Sequence, residues 1–342
     1  MTLEVKRQVL FNPGPVNLDA AVKSNLFNVE LCHRQPEFEQ LYERVAAGLF
    51  AASGLDPEVH RLSMLHGSGT LAVDAGLSSL VRGRILVVEN GLYCKRLTTT
   101  LATLPDTAVI EHAPGLGRRP DLDILDSQLG RERPDWIAMV HHETTTGLLN
   151  PLAEIAALAR RHDCRLFVDA VSSLPVHPID ASADVICFNS NKCLESLPGI
   201  AGVFWRRDLT PRATVPVLDV TAYADAIPST PSVQAFVALE IALELLAGED
   251  RAARYRRLVE RVWSAGAARF EPLLPEPDRS HVLTSFHLDG RDPDRLLELA
   301  LRHGYVIYPG QGPLRAEIFR VANMGALIDE RLIDDLFEVL AS

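Results

Sequence analysis

The 342-residue chain lacks a basic surface: 34 lysines and arginines face 45 aspartates and glutamates, for a formal net charge of −11. Nucleic acid is therefore not an expected partner, because its phosphates demand clustered positive charge. No apolar run approaches the length that spans a bilayer, and Met1 to Arg7 holds no apolar signal core. No membrane partner is expected, and the expected location is the cytoplasm. Cysteine is scarce. The five, Cys32, Cys94, Cys164, Cys187 and Cys193, are odd in number and show no paired ligand spacing. They read as reduced thiols, and no metal is expected. Internal repeats and low-complexity tracts are also missing. What remains is an ordinary globular composition, 47% apolar and 23% charged, in a chain long enough for two domains.

One pair of residues carries the most information. Arg165-Leu-Phe-Val-Asp169 and Asp184-Val-Ile-Cys-Phe188 read as short apolar strands. The first ends on Asp169, and the second runs into Asn189-Ser-Asn-Lys192. A parallel sheet would deliver both side chains to one edge. An amine there can hold an aldehyde covalently, and a carboxylate can keep a pyridine nitrogen protonated. Together they suit pyridoxal 5′-phosphate (PLP). Alone, Lys192 would read as a rim lysine and Asp169 as a helix cap.

Upstream, His66-Gly-Ser-Gly-Thr70 precedes the apolar helical pattern Leu71 to Leu77. Free N–H groups at such a helix start bind phosphate, glycines let the anion approach, and Ser68 and Thr70 add hydroxyls. Gly67, Gly69 and Ala72 also fit a loose dinucleotide fingerprint, with Glu89 about twenty residues on. That makes a nicotinamide-dependent dehydrogenase the rival from another class. Against it, Arg61-Leu-Ser-Met-Leu65 reads as a poor buried strand, and the rival leaves Asp169 and Lys192 unexplained.

Strand and helix patterns alternate from about residue 60 to 205. Strands are expected at 84–89, 107–111, 136–140, 165–169, 185–188 and 201–205, with a helix at 151–160 opened by Pro151. This predicts an α/β fold, a mostly parallel sheet between helices, with ligands outside the carboxyl ends of the strands. After about 206 the character changes. Pro211, Pro216, Pro228 and Pro231 punctuate an irregular stretch, and helices are expected at 233–246 and 251–270. The remainder predicts a small α+β domain, with strands at 282–288, 305–308 and 317–321 and helices at 293–303 and 328–340. The expected division is an N-terminal segment 1–14, a large domain 15–235 and a small C-terminal domain 236–342.

The chain resembles the class V aminotransferases of PLP fold type I, along nearly its whole length. The resemblance rests on Asn12-Pro-Gly-Pro15, His66 to Thr70, Glu89-Asn-Gly-Leu-Tyr93, His142-Glu-Thr-Thr-Thr-Gly147, Val168 to Ser173, Asn191-Lys-Cys193, Val306-Ile-Tyr-Pro-Gly310 and Phe319-Arg320. Within the class, the Glu-Thr-Thr-Thr-Gly, Asn-Lys-Cys and Ile-Tyr-Pro-Gly strings are most similar to the branch that moves an amino group from 2-aminoethylphosphonate to pyruvate, giving phosphonoacetaldehyde and alanine. The alanine–glyoxylate and serine–pyruvate branches come next. A cysteine desulfurase would place histidine where Asn191 stands.

The resemblance implies PLP on Lys192, with Asp169 at its ring nitrogen and Ser68, Gly69, Thr70 and Asn191 around its phosphate. It implies Tyr93 and Val171 on the two ring faces. Thr144 is implied at the phenolic oxygen, with Thr145 as its substitute. Thr230 would reach the phosphate from a neighbouring subunit of a homodimer, or else cap the helix that follows. Arg320 is implied as the clamp on a substrate carboxylate, with Gly14 nearby. His33 and Arg34 resemble a string by which phosphoserine aminotransferases meet their substrate's phosphate, so here they would meet a phosphonate. That string and Ile227 depart from the phosphonate-transaminating pattern.

Overall fold

The computed structural model describes residues 8–26, 29–212, 215–224 and 227–342. A seven-stranded sheet forms its centre. Its strands are His60–Gly67 (β1), Gly83–Val88 (β2), Thr107–His112 (β3), Trp136–Val140 (β4), Arg165–Asp169 (β5), Val185–Asn189 (β6) and Gly199–Arg206 (β7), in the order β1-β7-β6-β5-β4-β2-β3. All neighbours are parallel except β7, which runs against both β1 and β6.

Strand residues alternate between two cores, as the two-residue period of a strand requires. Leu86, Val88, Ile137, Met139, Leu166, Val168, Ile186 and Phe188 face one side. There they meet helices Pro36–Ser53 (α1), Leu122–Glu132 (α4), Leu152–Arg161 (α5) and Val233–Ala247 (α6). Ile85, Val87, Trp136, Ala138, Val140, Phe167, Val185 and Cys187 face the other. Helices Gly69–Leu80 (α2) and Leu92–Leu101 (α3) cover them. Both faces are thus buried, which is why the central strands are continuously apolar rather than alternating with polar residues.

A second core lies among helices Arg251–Ala267 (α7), Pro293–Arg302 (α8) and Glu330–Ala341 (α9) and a three-stranded antiparallel sheet. The sheet's strands are Leu283–His287 (β8), Tyr308–Pro309 (β9) and Ile318–Ala322 (β10), with β10 in the middle. Phe270, Phe286, Phe319 and Phe337 pack ring against ring there, with centroids 4.9–6.4 Å apart. Each ring so buried contributes about 1.5–3 kcal/mol.

The expected α/β architecture is present. The reading of Arg61 to Leu65 as a poor strand is corrected: these residues lie inside β1, an edge strand paired along its whole length with β7. Pro151 is the cap of α5 rather than its first residue. The single strand expected at 305–308 is split into two short pieces. The division at residue 235 falls near the start of α6, yet Phe236, Leu239 and Leu243 of that helix belong to the large core. At the other end Phe11 belongs to the small one. We propose that the large domain ends after Ala247 and that the strand at Val9–Leu10, paired with Tyr305–Val306, belongs to the small domain.

Candidate active site

The carboxyl ends of β1, β4, β5 and β6 open onto one cavity of about 190 Å³. Asp169 and Lys192 both line it. Asp169 closes β5 and is buried. Its carboxylate's one hydrogen bond among the described residues comes from the Val171 N–H, at 3.0 Å. Burial raises its pKa to about 6. Lys192 follows β6 in a tight turn, and its Nζ donates to the Pro13 carbonyl. Burial lowers its pKa to about 8. An amine made easier to deprotonate by burial and a buried carboxylate with no ion-pair partner among the described residues therefore share one space.

The start of α2 forms another wall. Ser68 is the N-cap, but its side chain caps nothing. The Gly69 and Thr70 N–H groups also donate to nothing among the described residues. Free N–H groups at a helix start favour a negatively charged partner. This helix start can pack here only because residue 69 has no side chain: a Cβ there would lie 2.7 Å from Val171 Cγ1. Gly14 has the same logic. Its φ is +104°, and a Cβ would stand 2.8 Å from Lys192 Cδ, so glycine lets Lys192 lie against the 12–15 turn.

Tyr93 and Val171 line the cavity, as do Thr144 and Asn191. Thr144 is the threonine that faces it. Thr145 is turned away, its hydroxyl bonded to Glu143 and accepting from the Leu92 N–H. Four polar lining residues were given no role from the sequence. Arg96 reaches from α3 to the Thr70 hydroxyl and is held by Asp74 at 3.1 Å. His142 is buried, and burial lowers its pKa to about 4. The neutral ring donates through Nδ1 to the Ser172 carbonyl at 3.0 Å, and the Ser280 hydroxyl donates to its Nε2 at 2.9 Å. Asn189 and Ser172 complete the set. The spacing of Asn90-Gly-Leu-Tyr-Cys-Lys-Arg96 could have flagged Arg96, which lies three residues past Tyr93 on the same helix.

Arg320 lies on β10 behind Thr144, 1% exposed. Its Nη1 donates to the Thr144 carbonyl at 2.9 Å and its Nε to the Pro309 carbonyl at 3.0 Å. No carboxylate pairs with it among the described residues. Burial lowers its pKa, so a buried cation stands without a counter-ion beside the cavity. His33, Arg34 and Thr230 do not line the cavity. Arg34 and Thr230 are exposed and His33 half-buried. Their two segments are neighbours, however: Gln234 donates to the Val29 carbonyl at 3.4 Å, and Ile227, Val29 and Leu31 pack on the same core.

The dinucleotide reading fails on geometry. Its glycine turn follows an edge strand flanked by an antiparallel neighbour, not a central strand of a parallel sheet. Glu89 is held by Thr98 and Lys95 instead of facing the cavity.

Residues 71–298, more than half of the chain, match the family model described as aminotransferase class-V. The chain belongs to the class V aminotransferases. It is 33% identical to the 2-aminoethylphosphonate–pyruvate transaminase of Burkholderia ambifaria, over 93% of this chain and 91% of that one. Its structure is similar to that of alanine–glyoxylate aminotransferase from Nostoc sp., with a TM-score of 0.90, 25% identity and 100% and 96% of the two chains covered. Pyridoxamine–pyruvate aminotransferase from Mesorhizobium loti is similar too, with a TM-score of 0.86, 26% identity and 100% and 91% covered. The fold is therefore PLP fold type I, and the class depends on PLP. The residues fit that cofactor: an aldehyde-capturing amine, an uncompensated buried carboxylate and free helix-start N–H groups line one cavity. Cys193, beside Lys192, has its thiol pushed up to about 12 by burial. It packs against Met324, which suits a filler and not a nucleophile.

Proposed function

We propose that this class V aminotransferase moves the amino group of 2-aminoethylphosphonate to pyruvate, giving phosphonoacetaldehyde and alanine. Near-full-length similarity to transaminases of that name supports the reading. The single structural observation that carries it is Arg320, a buried guanidinium with no counter-ion next to Lys192's cavity, ready for an anionic substrate.

In this reading Lys192 attaches PLP, Asp169 meets the ring nitrogen and Tyr93 and Val171 flank the ring. Thr144 serves the phenolic oxygen, while Ser68, Gly69, Thr70 and Asn191 take the phosphate. Bound there, PLP supplies an electron sink and carries the amino group between the two half-reactions. The Lys192 Nζ, when not holding the cofactor, would carry the proton from the donor carbon that bears the nitrogen to the cofactor's acceptor carbon, and in the reverse half would carry a proton back to the carbon that came from the keto acid. A pKa near 8 lets the amine be neutral when it must accept and charged when it must give. Arg320 would hold the keto acid's carboxylate and so point its carbonyl carbon into the cavity, within reach of the proton that Lys192 moves. His142, neutral and fixed by Ser172 and Ser280, keeps the Thr144 loop in place.

We also propose a homodimer, in which Thr230, His33 and Arg34 of one subunit serve the cavity of the other, and a cytoplasmic location, where the five free cysteines stay reduced. The test is a donor panel on the purified, PLP-loaded protein. 2-Aminoethylphosphonate, alanine and serine are each offered with pyruvate and with glyoxylate, and the products are read by phosphorus and proton NMR. Alanine formed from pyruvate with 2-aminoethylphosphonate as the preferred donor is expected. Preference for alanine with glyoxylate would overturn the reading in favour of the alanine–glyoxylate activity.

A further inference from the structure

A guanidinium has five N–H groups, and in Arg320 three are already committed. Nε donates to the Pro309 carbonyl at 3.0 Å. Nη1 donates twice, to the Thr144 carbonyl at 2.9 Å and to Gln311 Oε1 at 3.2 Å. Only the two hydrogens of Nη2 are without an acceptor among the described residues. A carboxylate is usually forked by two different nitrogens of one arginine. Here both edges that could fork it are partly used, so Arg320 alone offers a carboxylate one nitrogen.

The second donor is next to it. Gln311 is the cap residue of a short turn, Gly312–Leu314, after β9. Its carboxamide oxygen must face the guanidinium, because only the oxygen can accept. Its Nε2 is thereby turned away from Nη1, and it donates to nothing among the described residues. We propose that Gln311 is a specificity-determining residue: Arg320 Nη2 and Gln311 Nε2 together grip the two oxygens of the keto acid's carboxylate. The arrangement spends Nη1 on holding Gln311 in place, so the anchor is a guanidinium–carboxamide pair built by the Pro309–Gln311 turn and β10. A neutral carboxamide also leaves the positive charge of Arg320 undiminished for the anion, which an acidic residue at 311 would cancel.

This rests on the transaminase reading, and the experiment separates the two. The PLP-loaded enzyme in its aldehyde form binds pyruvate without turning it over, since no amino donor is present. Calorimetric titration with pyruvate then gives a Kd independent of catalysis. Gln311→Met should weaken pyruvate about tenfold, the cost of one hydrogen bond to a charged acceptor, and raise the KM for pyruvate in step. The kcat and the PLP absorption spectrum should stay as in the wild type. Gln311→Glu keeps an oxygen for Nη1 but loses both amide N–H groups and adds charge, so it should weaken pyruvate more than methionine does. An unchanged or tighter Kd in Gln311→Met would overturn the proposal, because Gln311 would then be an occupant that the carboxylate displaces. Wild-type affinity in Gln311→Glu would overturn it too, since holding Arg320 would be the whole role. If the wild-type enzyme binds no pyruvate and also forms no alanine from it in the donor panel, the transaminase reading falls, and this falls with it; if it forms alanine without measurable binding to the aldehyde form, the KM of Gln311→Met decides, and an unchanged KM overturns the proposal.

Discussion

Asp169 sits in a poor medium for a bare carboxylate. In the unfolded chain it titrates near 3.8, and in the fold near 6 because burial penalises its charge. Between those values the folded protein holds more protons than the unfolded one, so stability falls as pH rises from about 4 to about 6 and the loss persists above. Asp169→Asn removes the charge and keeps an oxygen for the Val171 N–H. The cofactor-free variant should therefore melt higher than cofactor-free wild type at pH 8, by on the order of 1–3 kcal/mol, and the gain should shrink as pH is lowered towards 4. Calorimetry at the two pH values reads this. With PLP bound the order reverses, since asparagine cannot keep a ring nitrogen protonated, and kcat should drop roughly a hundredfold or more. Lys192→Ala should leave no borohydride-trappable cofactor, as mass spectrometry of the reduced protein reads; label persisting on the variant would move the attachment elsewhere. These two residues were legible because each ends or follows a short apolar strand, and strand ends share an edge. Arg96 could have been flagged only by its spacing from Tyr93, and the role of His142 not at all. Their orientation depends on Asp74, Ser172 and Ser280, partners distant in sequence.

At the level of elements, the glycine turn could be read and the strand before it could not. β1 carries His60, Arg61 and Ser63, which look wrong for a buried strand. Each of these side chains has a tertiary partner. His60 Nε2 meets the Ala183 carbonyl at 3.0 Å and Ser63 donates to the Val220 carbonyl at 2.7 Å. The Arg61 guanidinium lies 5.5 Å over the Trp205 ring of its strand neighbour. Irregular segments distant in sequence supply two of these, so alternation alone misjudges the strand. The turn itself works through close packing of α2 on the residue two past Asp169. A methyl group at position 69 would stand 2.7 Å from Val171 Cγ1 and 3.0 Å from Cγ2. Valine is stiff at χ1 and cannot swing aside cheaply. Gly69→Ala should then displace the start of α2 and weaken PLP about ten- to hundredfold, an overpacking cost of 1–3 kcal/mol. Fluorescence titration of PLP onto the cofactor-free protein measures it. Undiminished affinity would show that the helix start is not the phosphate site.

For the molecule as a whole, three of the fourteen site residues expected from the sequence are left away from the cavity. His33, Arg34 and Thr230 lie on two segments joined by the Gln234–Val29 hydrogen bond. Residues expected in the site but lying off its cavity are what the proposed dimer with shared sites would produce in a single chain. In a two-fold dimer these residues would face the partner's cavity. Complementation decides the matter. Lys192→Ala subunits keep Arg34, and Arg34→Ala subunits keep Lys192. Mixed dimers then hold one site with both residues intact if the site is shared, and none if it is contained in one chain. With each variant nearly inactive alone, unfolding and refolding an equimolar mixture should restore about a quarter of wild-type activity, since half of randomly paired dimers are mixed and each regains one site of two. A mixture no more active than its parents would put Arg34 and Lys192 in separate roles, and would leave the exposed 29–34 segment outside the reaction.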